Sequence, residues 1–564
     1  MKFSEYKYQR PIKEEVFKKY QELLNKFVEA DSFNKQDVIF QEINKLRNNI
    51  ITQGTLASIR HSINTKDEFY DKENDFFDEF YPLFSNYENK FEKLLLNTKY
   101  LKEFKNKYGE HLFNLFKVQF ETFNENIIKD LEEENKLSSK YSKLIASAQI
   151  EFQGKIYNLP QMSPFMQDKN RQIRKEAQEK TSKFFLDNEK EFDEIYDNLV
   201  KVRTRIAKKL GYSNFVELGY KRMNRTDYNK DDVKIFRDQV YKYIVPAAQK
   251  LIKRQEKRLN LDKLYYYDLP LKFLSGNPKP KGNKDELVNK AKKMYHELSK
   301  ETDEFFNYMV NHELLDLEAK PGKDSGGYCT FIPDYKSPFI FSNFNNTSGD
   351  VDVLTHEAGH AFQVFNCRNF EIPEYLWPTY EACEIHSMSM EFFAWPWMDL
   401  FFEKDADKYR FNHLAEALLF IPYGVLIDEF QHFVYENPDV TPDERKTKFR
   451  ELEKKYLPHK DYQENEILEK GAYWFRQGHV FSSPFYYIDY TLAQLCAFQY
   501  LIKDRNNHQK AWDNYLNLCK LGGSKSFVQL INEVGLKNPF QDGTMKEIIY
   551  NVESILNTFD DTKF

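Results

Sequence analysis

The sequence predicts a mainly α-helical protein, and three observations carry that reading. Gly and Pro number only 19 and 20 in 564 residues, which disfavours a turn-rich β fold and suits long helices. Apolar residues recur at helical spacing along most of the first half. Strand signals gather in one stretch, between residues 320 and 350. A chain of this length exceeds what one hydrophobic core organises, so at least two lobes with clefts between them are expected.

From Lys13 to Ala30, apolar side chains fall at Val16, Phe17, Tyr20, Leu23, Leu24, Phe27 and Val28, one face of a helix opposite Lys, Glu and Gln. Similar amphipathic stretches recur around 87–135, 170–210, 230–262 and 284–312. The run Gly276-Asn-Pro-Lys-Pro-Lys-Gly282 marks an exposed loop. Between 320 and 350, Gly326, Gly327, Pro333, Pro338 and Gly349 punctuate two strand candidates, Tyr328–Ile332 and Phe339–Phe344. These predict a small β-sheet just before the segment that carries the chemistry.

Composition narrows the function classes. Apolar residues make up 41% and aromatics 16%, ample for a large core. Basic and acidic residues nearly balance at 82 and 88, a net charge of -6, so there is no electrostatic case for nucleic acid. The N-terminus lacks the apolar segment of a signal peptide. The charge-free stretch between Glu416 and Asp428 is short and interrupted by Pro422 and Gly424, which argues against a membrane span. Cys329, Cys367, Cys383, Cys496 and Cys519 are scattered with no CxxC, the pattern of reduced thiols in a cytoplasmic protein.

Residues 356–360 read His-Glu-Ala-Gly-His. Positions i and i+4 of a helix share one face, so His356 and His360 offer two imidazoles to one ion. Glu357, one position on, can take a proton from an attacking water. Ser348 or Asp350 is placed to cap this helix, and Val353, Leu354, Ala361, Phe362 and Val364 supply its apolar side. Two neutral imidazoles plus a carboxylate suit zinc. Chance alone would place a His-acid-x-x-His pattern in such a chain about 0.04 times, so two histidines on an ordinary helix are the plain alternative until a third ligand is found.

A second helix is expected from Thr379, following Pro378 and ending near Pro396. Glu384 lies far enough beyond His360 for the chain to turn and return antiparallel. Glu381 shares that helix face, and spacing does not separate the two. Glu391 lies on the same side and could orient a ligand, while His386, two residues past Glu384, points away. The extended metzincin pattern needs Gly at 363 and His at 366; Gln363 and Asn366 exclude it.

These residues resemble the thimet-oligopeptidase-like metallopeptidases, in particular the oligoendopeptidase F branch. The resemblance rests on His356-Glu-Ala-Gly-His-Ala-Phe-Gln363, Glu384-Ile-His-Ser-Met-Ser-Met-Glu391 and Gly326-Gly-Tyr-Cys-Thr-Phe-Ile-Pro-Asp-Tyr-Lys-Ser-Pro-Phe339. It also includes Gly211-Tyr-Ser-Asn-Phe-Val-Glu-Leu-Gly219 and His479 through Tyr490. It runs from roughly 170 to the C-terminus, which divides the chain into an N-terminal helical region, 1–165, and a catalytic region, 166–564. The resemblance implies Glu384 as third ligand, one zinc ion per chain, and two helical lobes around a deep channel that admits short unstructured peptides. It further implies a substrate backbone laid along the sheet edge near 328–344, starting at Gly327 and Tyr328.

Peptide hydrolysis also needs a donor for the developing oxyanion. The segment His479-Val-Phe-Ser-Ser-Pro-Phe-Tyr-Tyr-Ile-Asp-Tyr490 concentrates suitable groups, with Tyr487 and Tyr490 at i, i+3 on an expected helix. By the resemblance, His479, Tyr487 and Tyr490 contact the substrate carbonyl; Ser483 stands where the family has an earlier tyrosine, and Tyr486 is the substitute. With 37 Tyr and 50 Phe in the chain, an aromatic core is the plain alternative. Rival readings are a deformylase using Cys329 or Cys383 as third ligand, an aminopeptidase, whose Gly-x-Met-Glu-Asn motif is absent, and a catalytically silent peptide-binding protein, for which Glu357 would be superfluous. Short peptides are thus the expected partners, with no nucleic acid or membrane, and nothing in the sequence sets an oligomeric state.

Overall fold

The computed structural model describes residues 1–320, 322–324 and 326–564, with backbone alone at 82. Helices make up 71% of the chain and the sheets are small, so the fold is mainly α. The chain forms two compact units, each discontinuous in sequence. The first comprises Met1–Glu121, Lys279–Lys404 and Tyr500–Leu536; the second comprises Thr122–Pro278, Asp405–Gln499 and Lys537–Phe564.

The first unit begins with long helices at Lys13–Glu29, Phe33–Ile63 and Glu68–Leu96. Tyr20, Leu23, Leu24 and Phe27 bury the expected face against Phe40, Phe80, Phe84 and Phe91. Val28, read as part of that face, is instead 63% exposed, because the apolar stripe has rotated off the core by the last turn. A three-stranded sheet follows. Ser337–Phe344 is its centre, flanked by Leu315–Glu318, parallel to it, and by Tyr328–Ile332, antiparallel to it, with Tyr328 opposite Phe341. The two expected strands are present, and the central one starts at Ser337, two residues earlier than Pro338 had implied. Proline is tolerated near a strand's start, where its fixed φ suits extended chain. The sheet lies on the helix Gly349–Cys367, where Phe331 joins Val364, Cys367 and Leu376 in a small core.

In the second unit the amphipathic stretch 230–262 is not one uniform helix. Lys230–Gln239 passes through a π-helical turn, Val240–Ile244, into Val245–Arg258. Pro246 has no N–H to give the preceding turn, and the wider turn absorbs the loss. Pro422, read as an interruption, lies inside the continuous helix Ala406–Glu436, where burial of Ile421, Val425 and Leu426 offsets the missing hydrogen bond. A hairpin, Ile150–Phe152 with Lys155–Tyr157, turns on Gln153 and Gly154, both at positive φ. The stretch Tyr380–Glu436 contains a window apolar enough for a membrane span, and 67% of that window is buried inside the protein. All five cysteines are free thiols.

Arg203, fully buried, ties this unit together. Its guanidinium donates to Glu134 Oε1 (2.6 Å), Tyr435 Oη (2.9 Å) and the carbonyl of Phe481 (2.5 Å). Burial would raise the Glu134 carboxyl, but Arg203 and Arg222 hold it below the ordinary range. Replacing Arg203 by Met should cost about 3–5 kcal/mol at neutral pH, because Glu134 is left buried with half its compensation. A depressed carboxylate stabilises above its unfolded pKa and loses that contribution as pH falls through its folded value. The deficit, read from urea midpoints, should therefore shrink in acid.

Candidate metal centre

The helix Gly349–Cys367 carries His356, Glu357 and His360; the helix Tyr380–Phe393 carries Glu384. Both belong to the first unit. What brings them together is a glycine. A Cβ on Gly359 would stand 2.7 Å from Ser387 Cα and 2.8 Å from the His386 carbonyl oxygen, so only Gly lets the two backbones touch there. Tyr515 secures the second helix by donating from Oη to the His386 carbonyl at 2.8 Å.

The contact sets Glu384 Oε2 3.2 Å from His356 Nε2 and 3.5 Å from His360 Nε2. Among the described residues, His356, His360 and Glu384 form a group that could hold a metal ion. Donors bound tetrahedrally at 2.0–2.1 Å sit roughly 3.3 Å from one another, so the spacing fits zinc. Glu381, the competing carboxylate, is buried one turn earlier and lies outside this group, as do Cys329 and Cys383.

Neighbouring groups orient the donors. His356 Nδ1 donates to Glu391 Oε1 at 2.5 Å, which leaves Nε2 to face Glu384. Ser387 Oγ donates to Glu384 Oε2 at 2.9 Å. Burial by itself would raise the Glu384 carboxyl, yet the imidazoles of His360 and His356 hold it well below the usual range. His356 is pulled the other way: burial disfavours its charge, but Glu384 and Glu391 raise it well above an ordinary histidine. His386 is fully buried beside Tyr515, and burial pushes it down to about 4. Asp350, read as a cap, instead accepts from the backbone N–H groups of Asn345 and Asn346, and Ser348 makes no capping bond.

Strand Tyr328–Ile332 is one edge of the sheet, Leu315–Glu318 the other. The Tyr328 ring stacks on Phe341 with centroids 4.9 Å apart, and a Cβ on Gly327 would lie 3.3 Å from the Phe341 carbonyl oxygen. Burial, then the charge of Glu357, push the Cys329 thiol well up.

The second unit gathers His479, Tyr486, Tyr487 and Tyr490. Ring centroids of His479 lie 5.5, 5.1 and 5.8 Å from the three tyrosines in that order, and Tyr490 Oη is 3.5 Å from His479 Nε2. A strained residue aims them: Phe485 has φ 68°, costly for an aromatic side chain. It is clamped on both sides, its N–H donating to Gln431 Oε1 (3.1 Å) and its carbonyl accepting from Arg225 Nη2 (2.6 Å). Arg225 Nη2 also reaches Asp489 Oδ1 at 2.6 Å, both side chains fully buried. Gly219 leaves room for the ring, since a Cβ there would meet Phe485 Cδ2 at 2.5 Å. Sequence reading missed the roles of Gly359, Gly219 and Ser387 in these sites. Only Ser387 carried a signal, its i+3 offset from Glu384.

A helical fold with two histidines and a carboxylate converging beside a small sheet has a counterpart among known peptidases. Residues 3–123 match the peptidase M3 N-terminal domain and residues 164–549 match peptidase family M3. The chain belongs to peptidase family M3 and is a peptidase of the oligoendopeptidase F type. It is 54% identical to a solved oligoendopeptidase F from Bacillus anthracis str. Ames, over 100% of this chain and 99% of that one, with a TM-score of 0.91. It is 53% identical to Pz peptidase A, solved with an inhibitor, over 100% of both chains at a TM-score of 0.95. An oligoendopeptidase F homolog of Borreliella burgdorferi is 26% identical over 451 residues, 75% of this chain and 73% of that one.

Because the close approach at Gly359 sets the donor spacing, Gly359→Ala should weaken metal binding by about 10–100-fold while the helical circular dichroism persists. Titration against a competing chelator reads the change, and unaltered affinity would contradict the geometric argument.

Proposed function

We propose that the protein is a zinc-dependent endopeptidase that hydrolyses internal bonds of short, unstructured oligopeptides. The observation that carries this reading is Glu384 Oε2 set at 3.2 and 3.5 Å from two imidazole nitrogens, with Glu357 on the same helix as both histidines. His356, His360 and Glu384 would hold one zinc ion per chain. Zinc in such a site supplies Lewis acidity to a peptide carbonyl and lowers the pKa of water towards about 7.

Glu357 serves as general base, taking a proton from the attacking water and passing it to the leaving amine nitrogen. Gly327 leads into the edge strand that Tyr328 begins, whose backbone is suited to pair with an extended peptide; the Tyr328 ring, stacked on Phe341, is occupied within the sheet. His479, Tyr487 and Tyr490 act as donors to the carbonyl oxygen as it gains charge, with Tyr486 against the substrate. Their support is the clustering within the second unit and the resemblance of segment 479–490. Burial holds the Tyr487 phenol above its normal range, so it stays protonated and able to donate.

The test is cleavage of a short, end-blocked peptide with bound metal measured in parallel. Glu357→Gln should abolish internal cleavage and keep the metal, and chelation should abolish cleavage in the wild type. Tyr490→Phe should lower kcat by about 10²–10³ with a smaller change in KM. Cleavage only at a free amino terminus, or full activity in Glu357→Gln, would overturn the proposal.

A further inference from the structure

Beside His479 lies a chain of hydrogen bonds that the chemistry above leaves unused. Tyr423 Oη donates to Gln477 Oε1 (3.2 Å), and Gln477 Nε2 lies 2.9 Å from His479 Nδ1. Gln477 is the extended residue between two short helical turns, Tyr473–Arg476 and Gly478–Ser482, with φ -93° and ψ 93°. Its amide thus meets the ring two residues ahead.

An amide nitrogen carries protons and offers no acceptor, so the ring nitrogen facing it must accept. His479 Nδ1 is then unprotonated, and the single ring proton resides on Nε2, the atom 3.5 Å from Tyr490 Oη. At the far end of the amide, Tyr423 Oη gives its proton to Oε1 at 3.2 Å, and burial, which pushes the phenol well above its normal range, keeps that proton in place.

We propose that Gln477, oriented by Tyr423, is a positioning residue that fixes His479 as the neutral Nε2–H tautomer. This deepens, and rests on, the reading of His479 as a donor to the peptide carbonyl: an oxyanion calls for N–H, and the other tautomer would present a lone pair. A second proton, on Nδ1, would face the amide protons of Gln477, which disfavours the imidazolium. Surrounding charges act in the same sense. Lys460 Nζ lies 3.4 Å and Arg476 Cζ 4.2 Å from the centroid of the Tyr473 ring, itself packed on Tyr423. The nearby carboxylates are engaged elsewhere, Glu453 with Tyr462 and Arg450, and Asp489 with Arg225. Tyr486, Tyr487 and Tyr490 face the ring, and Tyr141 stacks on Phe481 behind it.

The experiment is the ring ¹⁵N spectrum of His479 in the full-length chain, assigned by loss in His479→Gln and followed through a pH titration without substrate. Wild type should show the Nε2–H tautomer. Gln477→Glu, whose carboxylate accepts from Nδ1–H, should raise the His479 pKa by about one unit or more and move the acid limb of kcat with it, KM changing less. Gln477→Leu, which removes the donor, should let both tautomers populate. A wild-type ring protonated at Nδ1, or a Gln477→Glu titration that coincides with wild type, overturns the proposal. The spectrum needs no turnover, so the two readings fail separately. The proposed tautomer in a chain that cleaves no peptide supports the wiring and contradicts the function; cleavage with the opposite tautomer overturns the wiring alone.

Discussion

The candidate centre depends on one contact, the backbone of Gly359 against that of Ser387 and His386. Two helices side by side usually keep their axes 8–10 Å apart through intervening side chains. Here one position has no side chain, and the carboxylate of Glu384 comes within 3.5 Å of both imidazoles. Three donors cannot converge from two helices by residue type alone. The spacing of the backbones does it, and Glu391 and Ser387 then fix the rotations of His356 and Glu384.

The tyrosine segment is built on a different principle. Its geometry is held by strain and compensation, with Phe485 in a left-handed conformation gripped by Gln431 and Arg225, and the cleared space over Gly219 receiving its ring. The buried Arg225–Asp489 pair adds little net stability by itself, since desolvation opposes its attraction. What it provides is position, because the same guanidinium nitrogen also holds the Phe485 carbonyl. Both sites therefore set polar groups on backbone that cannot relax.

Much of this was legible in the sequence. Helical periodicity placed Lys13–Glu29, and the 328–344 segment read as strands because glycines and prolines punctuate two short apolar, aromatic-rich runs. The His356–His360 spacing and the following helix gave the donors; spacing left Glu381 and Glu384 tied, the resemblance chose Glu384, and the fold puts Glu384 opposite the imidazoles. Strand Leu315–Glu318 went unseen because four residues beside a helix carry no clear period, and the 150–157 hairpin because each strand has three. Pro422 misled for a physical reason: its local cost is overridden by burial that no local pattern displays. Gly359, Gly219 and Gln477 act through contacts with residues distant in sequence or through side-chain geometry, and neither leaves a spacing signature.

The most direct test of the central claim is metal stoichiometry after equilibrium dialysis against zinc, compared among wild type, Glu384→Gln and Glu381→Gln. The account predicts one ion per chain in wild type and Glu381→Gln, and a deep loss in Glu384→Gln. Retention by Glu384→Gln with loss in Glu381→Gln would contradict it.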